Sequence, residues 1–310
     1  MDKKDQSQSD FLKSYPRDMV GYGAKPVEAA WPNQSRIAVQ FVINYEEGGE
    51  NCVLHGDKAS EAFLSEIVGA QPLEGVRHMN MESIYEYGSR AGFWRLHRLF
   101  TDRQLPVTVF AVATALEKNP EAVEAMVEAD WDIASHGLKW IDYQYVPEDI
   151  ERAHMEQAID IHTRTTGKRP VGWYTGRNSP NTRKLVHEAG GFLYDADAYA
   201  DDIPYWAHDF DRHLIVPYTL DANDMRFATA QGFNSGEQFF QYLKDSFDIL
   251  YAEGGRMMSI GLHCRLVGRP GRAAALARFL DYVMEFNDAW VCRRSDIAEH
   301  WHQCHPWQPR

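Results

Sequence analysis

Arg36–Asn44 reads RIAVQFVIN, a β-branched and nearly continuous apolar run. A strand with one wet face alternates apolar and polar residues, whereas an unbroken run marks a parallel strand buried on both faces. Parallel strands cannot be joined by tight hairpins, so a crossover, usually helical, must follow each one. The rest of the chain supplies that alternation. Strand-like runs recur at 106–112, 131–135, 170–174, 192–194, 214–217 and 256–262, with a short one at 290–292. Helical patterns lie between them at 89–100, 120–129, 147–166, 180–190, 235–250 and 271–286, and a last one starts at Ser295. Asn119-Pro120 provides an N-cap with proline at the first helical position, and Ser235-Gly236-Glu237-Gln238 fits a capping box.

About seven strands alternating with helices predict an α/β parallel sheet with crossover helices, either open or closed into a barrel. A single domain is expected over 15–310, with an irregular Gly- and Pro-rich lead-in at 15–35 and a long insertion near 50–88. A loop of that length is usually functional or carries short elements of its own. Residues 1–14 are expected to form a disordered tail. The glycines form neither a GxGxxG after a strand nor a phosphate-binding loop, so nucleotide binding has no support.

In parallel α/β folds the site lies at the carboxyl ends of the strands. Those ends offer Asn44, Glu46 and Glu47; His136 and Trp140; Tyr174 and Arg177; Asp195 and Asp197; and His263 and Arg265. The topology places these distant residues around one mouth. His136 and His263 are the acid/base candidates, because imidazole titrates near neutrality. The alternative for each is a buried histidine bonded to a backbone carbonyl. Glu46-Glu47 is ordinarily a solvated turn, but burial beside a histidine would raise a carboxyl pKa and make it a base. Arg177 can clamp a planar polar group, and Trp140 and Tyr174 can wall a small pocket or pack in the core. The tail HWHQCH, with His300, His302, Cys304 and His305, lies outside the predicted mouth and reads as a helix-end surface feature.

The net charge of −13 argues against nucleic acid or an anionic membrane as partner. The four cysteines show no Cys-x-x-Cys spacing and are expected to be free thiols. MDKKDQSQSDF has no apolar core after its charges, so no signal peptide is expected, and no run approaches the roughly 18 apolar residues of a membrane helix. A cytoplasmic location is the expectation.

Several stretches together resemble the polysaccharide deacetylase superfamily, and more closely its metal-independent allantoinase branch. They are RDMVGYG (17–23), FVINYEEGGEN (41–51), YEYGSRAGFWRL (85–96), ASHGLKWIDY (134–143), GWYTGRNSPNT (172–182) and SIGLHCRLVGRPGR (259–272). The resemblance implies a distorted (β/α) barrel. It also sets Asn44 where the superfamily has a catalytic aspartate and Glu46 near a metal-binding aspartate. His136 keeps the first histidine of a His-x-x-x-His metal pair, Trp140 replaces the second, and His263 is the retained late histidine. One histidine and one carboxylate make a poor zinc site, so no metal and no cofactor is expected.

The implied activity is hydrolytic opening of allantoin to allantoate in purine breakdown. Without metal this needs a base for water, donors for the oxyanion and an acid for the leaving nitrogen. Glu46 or Glu47, with His136, would activate or orient water. His263 would be the acid or an oxyanion donor. Asn44, Trp140, Tyr174 and Arg177 would bind the substrate. The acid and base labels stay open at this point. The alternatives are a metal-dependent deacetylase of N-acetylated sugars and a non-catalytic ureide- or carbohydrate-binding protein. The resemblance also implies a homo-oligomer, a tetramer.

Overall fold

The nine-residue strand β1 (Ile37–Tyr45) is buried from end to end and pairs with three neighbours in the sheet. The structure is a computed structural model and describes residues 15–309; the tail expected over 1–14 falls outside them. The later strands are β2 (Thr108–Ala111), β3 (Asp132–Ser135), β4 (Gly172–Trp173), β5 (Tyr194–Asp195), β6 (Tyr205–Trp206), β7 (Leu214–Ile215), β8 (Arg256–His263) and β9 (Ala289–Val291). They form one curled sheet in the order β6-β7-β5-β4-β3-β2-β1-β8, with β9 pairing β1. Every pairing is parallel except β6 with β7. Helices cover the outside, giving a distorted (β/α) barrel. The helices are α1 (Met79–Tyr87), α2 (Phe93–Thr101), α3 (Ala113–Lys118), α4 (Pro120–Glu128), α5 (Glu148–Thr166), α6 (Thr182–Ala189), α7 (Gly236–Glu253), α8 (Pro270–Val283) and α9 (Arg294–Cys304).

Side-chain alternation on β1 explains why its sequence is apolar throughout. Ile37, Val39, Phe41, Ile43 and Tyr45 pack outward against helix residues such as Phe93, Phe100 and Phe279. Ala38 and Val42 point the other way, into a barrel interior shared with Phe110, Ala134, Tyr194 and Val216. Gln40 and Asn44 belong to that inner face by the period of two. Gln40 there meets a buried cation: Arg294 donates to Gln40 Oε1 at 2.7 Å, to Ser259 Oγ at 2.8 Å, and to the carbonyls of Val216 and Pro217.

Among the described residues no ladder joins β8 to the β6–β7 edge. The gap is crossed by the bridge between Asn223 and Gly261, by the backbone bond from Met257 N–H to the Asp202 carbonyl at 2.8 Å, and by side-chain bonds, including Asn44 Nδ2 to Tyr218 OH at 2.8 Å. Arg294 spans the same gap lower down.

Two expectations need correction. The helix expected over 89–100 begins ten residues earlier, at Met79, and runs through a π-turn at Gly88–Gly92 into α2. The extra residue of a π-turn breaks the 3.6-residue period, which hid α1 inside the supposed insertion. Among the described residues the sheet holds nine strands, since the acidic stretch after β5 contains the short antiparallel β6. Among the described residues no helix is long and apolar enough to cross a membrane.

Candidate active site

Strand register brings the predicted residues to one level. Asn44 lies opposite His263 across β1 and β8, and Tyr45, Ala111, Ser135 and Trp173 follow one another across β1 to β4. Asn44, Glu46, His136, Trp140, Tyr174, Arg177 and His263 line one cavity of about 480 Å³. That size suits a small molecule. Glu47 does not line it. Its carboxylate turns back to accept the backbone N–H of Glu46 at 3.1 Å and of Arg265 at 3.2 Å. Gly88 makes room for it, because a Cβ at that position would overlap the Glu47 side chain.

Glu46 is the centre of the arrangement and is only 1% exposed. Its Oε1 lies 3.3 Å from His136 Nε2 and 3.5 Å from His263 Nε2. Its Oε2 lies 2.7 Å from Arg265 Nη1. Burial disfavours the charged carboxylate, but Arg265, His263 and His136 outweigh it and hold Glu46 well below the usual range. Burial pushes Glu47 up to about 7, with Arg265 opposing and Glu46 adding. Burial also disfavours the His263 imidazolium, yet Glu46 and Asp224 raise it to about 9. Asp224 fixes that ring: Oδ1 is 2.6 Å from His263 Nδ1, and Oδ2 accepts the backbone N–H of His263 and Val267.

The two imidazole contacts to Glu46 are longer than the roughly 2.7–2.9 Å of a charge-assisted hydrogen bond. Both Nε2 atoms therefore keep capacity for a water or a ligand in the cavity. His136 packs 4.9 Å from the Tyr174 ring, which stacks on Phe110 at 4.6 Å. Gly137, at φ 74, makes the turn that frees the chain after His136. On the opposite wall Trp140 stacks on Phe63 at 5.8 Å, and Arg177 lies 5.3 Å from the Trp140 ring centroid and 3.8 Å from Glu61. Phe63, Leu64 and Glu61 all come from the irregular insertion, which thus forms part of the cavity wall.

Asp195 and Asp197 do not line the cavity. Asp195 contacts His213 at 3.1 Å and Arg183 at 3.4 Å. Asp197 accepts the N–H groups of Thr175 and Gly176, which shapes the loop that carries Arg177. Burial, with Asp195 adding, raises it to about 7. In the tail, His300 and His305 face the carbonyl of Ala29 and His302 that of Leu193, at a helix end away from the mouth.

Sequence reasoning missed Asp224, Tyr218 and Asn223. Asp224 lies 39 positions before His263 in a short 3-10 turn (Asp224–Ala228), and no spacing rule connects the two. Arg265 was a candidate for the mouth. It is instead 0% exposed behind Glu46, between the rings of Tyr85 at 4.4 Å and Trp140 at 5.3 Å.

The superfamily suggested by the motifs works with a metal, and these donors do not fit one. Catalytic zinc takes three protein ligands and leaves a position open. Among the described residues no group of three His, Cys, Asp or Glu side chains could hold a metal ion. The resemblance sets Trp140 at the place of a second imidazole, and the Arg265 guanidinium already lies 2.7 Å from Glu46 Oε2.

Comparison with known proteins agrees with the architecture. The polysaccharide deacetylase family model matches residues 80–191. A candidate polysaccharide deacetylase from Schizosaccharomyces pombe is 43% identical, over 94% of this chain and 98% of that protein. The crystal structure of a probable polysaccharide deacetylase from Pseudomonas aeruginosa PAO1 superposes with a TM-score of 0.94 at 63% identity, covering 95% of this chain and 100% of that one. The crystal structure of PuuE allantoinase gives a TM-score of 0.93 at 59% identity, again over 95% and 100%.

Proposed function

The chain belongs to the polysaccharide deacetylase family, and we propose that within it the protein is an allantoinase, a hydrolase that opens the ring of allantoin to allantoate without a metal. The observation that carries this reading is the charge arrangement around Glu46. One buried carboxylate faces two imidazoles on one side and a guanidinium on the other, and the motif resemblance sets Trp140 at the place of a second metal-ligating histidine. The likeness to PuuE allantoinase supports the choice of substrate.

Allantoin is a flat hydantoin ring with a ureido arm. Water must attack a ring amide carbonyl, the C–N bond must break, and the leaving nitrogen must take a proton. A carboxylate held as low as Glu46 is a weak base, so its work is to orient the two imidazoles and to favour the charged form of His263. His136 takes the proton of a water held in the cavity. His263 is cationic at neutral pH and faces the same space, so it stabilises the oxyanion and then protonates the leaving nitrogen. Trp140 and Tyr174 flank the ring, while Asn44, fixed by Tyr218, and Arg177 offer donors to its oxygens. Glu47 acts from behind by holding the backbone of Glu46 and Arg265.

The test is direct. Protein freed of metal by prolonged chelation is incubated with allantoin and the product analysed for allantoate. Turnover is expected. No turnover with allantoin, or release of acetate from an N-acetylated sugar only after zinc is restored, would overturn the reading.

A further inference from the structure

We infer that Arg265 is the resident cation of this site: a positioning residue whose fixed charge holds Glu46 ionised and leaves it unable to ligate a metal. The inference rests on the reading of the mouth as a hydrolytic site and adds what keeps its charges in place. Arg265 Nη1 lies 2.7 Å from Glu46 Oε2 and 3.9 Å from Glu47 Oε1, and all three side chains are buried. The guanidinium is walled by the faces of Tyr85 and Trp140. Its backbone N–H is held by Glu47 and its Nε–H donates to the carbonyl of Leu64. Glu46 thus has one oxygen turned to the two imidazoles and the other engaged by a cation that cannot leave or exchange. Arginine suits this role because it stays protonated when buried and its planar group fits between two ring faces. Trp140 has two functions in this arrangement. It withholds an imidazole, and it provides the π-face that keeps the guanidinium against the carboxylate.

The inference separates two obstacles to metal binding, a missing ligand and an occupying charge, and predicts that both must be removed. Zinc chloride is titrated by calorimetry into chelated Trp140→His, Trp140→His/Arg265→Met and Trp140→His/Arg265→Lys proteins, with folding checked by circular dichroism. About one zinc per chain is expected for the Met double variant only, at least 10-fold tighter than for the other two. Equal zinc affinity in Trp140→His and the Met double variant overturns the inference, and so does a folded Met double variant that takes no zinc. Should that variant not fold, the pH profile of kcat/KM decides. Arg265→Lys is expected to keep the acid limb within half a unit of wild type, while Arg265→Gln moves it up by about a unit or more. An unmoved limb in Arg265→Gln overturns the inference. Absence of allantoin turnover in the wild-type protein counts against the proposed function and leaves the zinc titrations to judge Arg265.

Discussion

Asp224 and His263 are joined twice: Oδ1 meets the ring at Nδ1 at 2.6 Å, and Oδ2 accepts the backbone N–H of the same histidine at 2.7 Å. One carboxylate thus sets both the place and the rotation of the imidazole, and leaves Nε2 as the atom that faces Glu46 and the cavity.

Replacing that carboxylate by an amide, Asp224→Asn, removes a charge that raises His263 while keeping the shape. Turnover is expected to fall by about 100-fold, within the range for general acid–base catalysis. The alkaline limb of kcat/KM, expected near 9 in the wild type from the raised His263, should move down. Steady-state kinetics across pH 6–10 reads both effects, and an unmoved limb would show that Asp224 does not set the charge of His263.

Stability should decline on the alkaline side. The folded state holds a proton on Glu47 up to about 7, above its ordinary 4.5, and on His263 up to about 9, above its ordinary 6.5. In each case the folded protein binds the proton more tightly than the unfolded chain, so stability is lost as pH rises through these windows. Glu46 works oppositely, because its depressed pKa costs stability only as pH falls below the ordinary carboxylate range. Tm measured by calorimetry is expected to fall between pH 6 and 10. Glu47→Gln should flatten the part below about 7 and leave the part near 9.

The two imidazoles and the tryptophan should separate kinetically. His136→Ala and His263→Ala are each expected to lower kcat by roughly 100-fold or more. Trp140→Leu keeps an apolar wall but loses the flat face, so KM should rise about 10-fold with a smaller change in kcat, in keeping with the ~0.5–1.5 kcal/mol of an aromatic contact. Near-normal turnover in both histidine variants would remove them from the chemistry.

Gly88→Ala tests a distant support. The added methyl overlaps Glu47 and has to displace it from the N–H groups of Glu46 and Arg265. A loss of about 1–3 kcal/mol is expected for overpacking of this kind. Chemical denaturation measures the loss, and activity should fall with it. Unchanged stability would mean that the π-turn relaxes at no cost.

The alternation of strands and helices was legible because burial on both faces leaves an unbroken apolar signal, as in β1. Much of the mouth was legible through the same topology, since Asn44 and His263 stand at the ends of β1 and β8, and Glu46, His136, Trp140, Tyr174 and Arg177 come just after strands. What lay beyond reach shares a different physics. Asp224 and Tyr218 sit in irregular chain, where no period points to them, and they join the site through contacts far apart in sequence. Arg265 was visible as a residue but not as a buried one. The residue type does not show whether a charge faces solvent or a carboxylate. The π-turn at Gly88–Gly92 shifted the helical phase and cost the chain's first long helix its recognition.

The gap between β8 and the β6–β7 edge has a mechanical meaning. Where the barrel wall is a backbone ladder, opening it means breaking many bonds together. Where it is laced by Asn44–Tyr218, the Asn223–Gly261 bridge, the Met257–Asp202 backbone bond and the fork of Arg294, a few scattered bonds decide whether the circumference holds. Amide hydrogens beside this seam should exchange before those of β1 and β2 do. The width of the mouth, and so the size of molecule it admits, can then drift through substitutions at these lacing residues without any change in the catalytic groups.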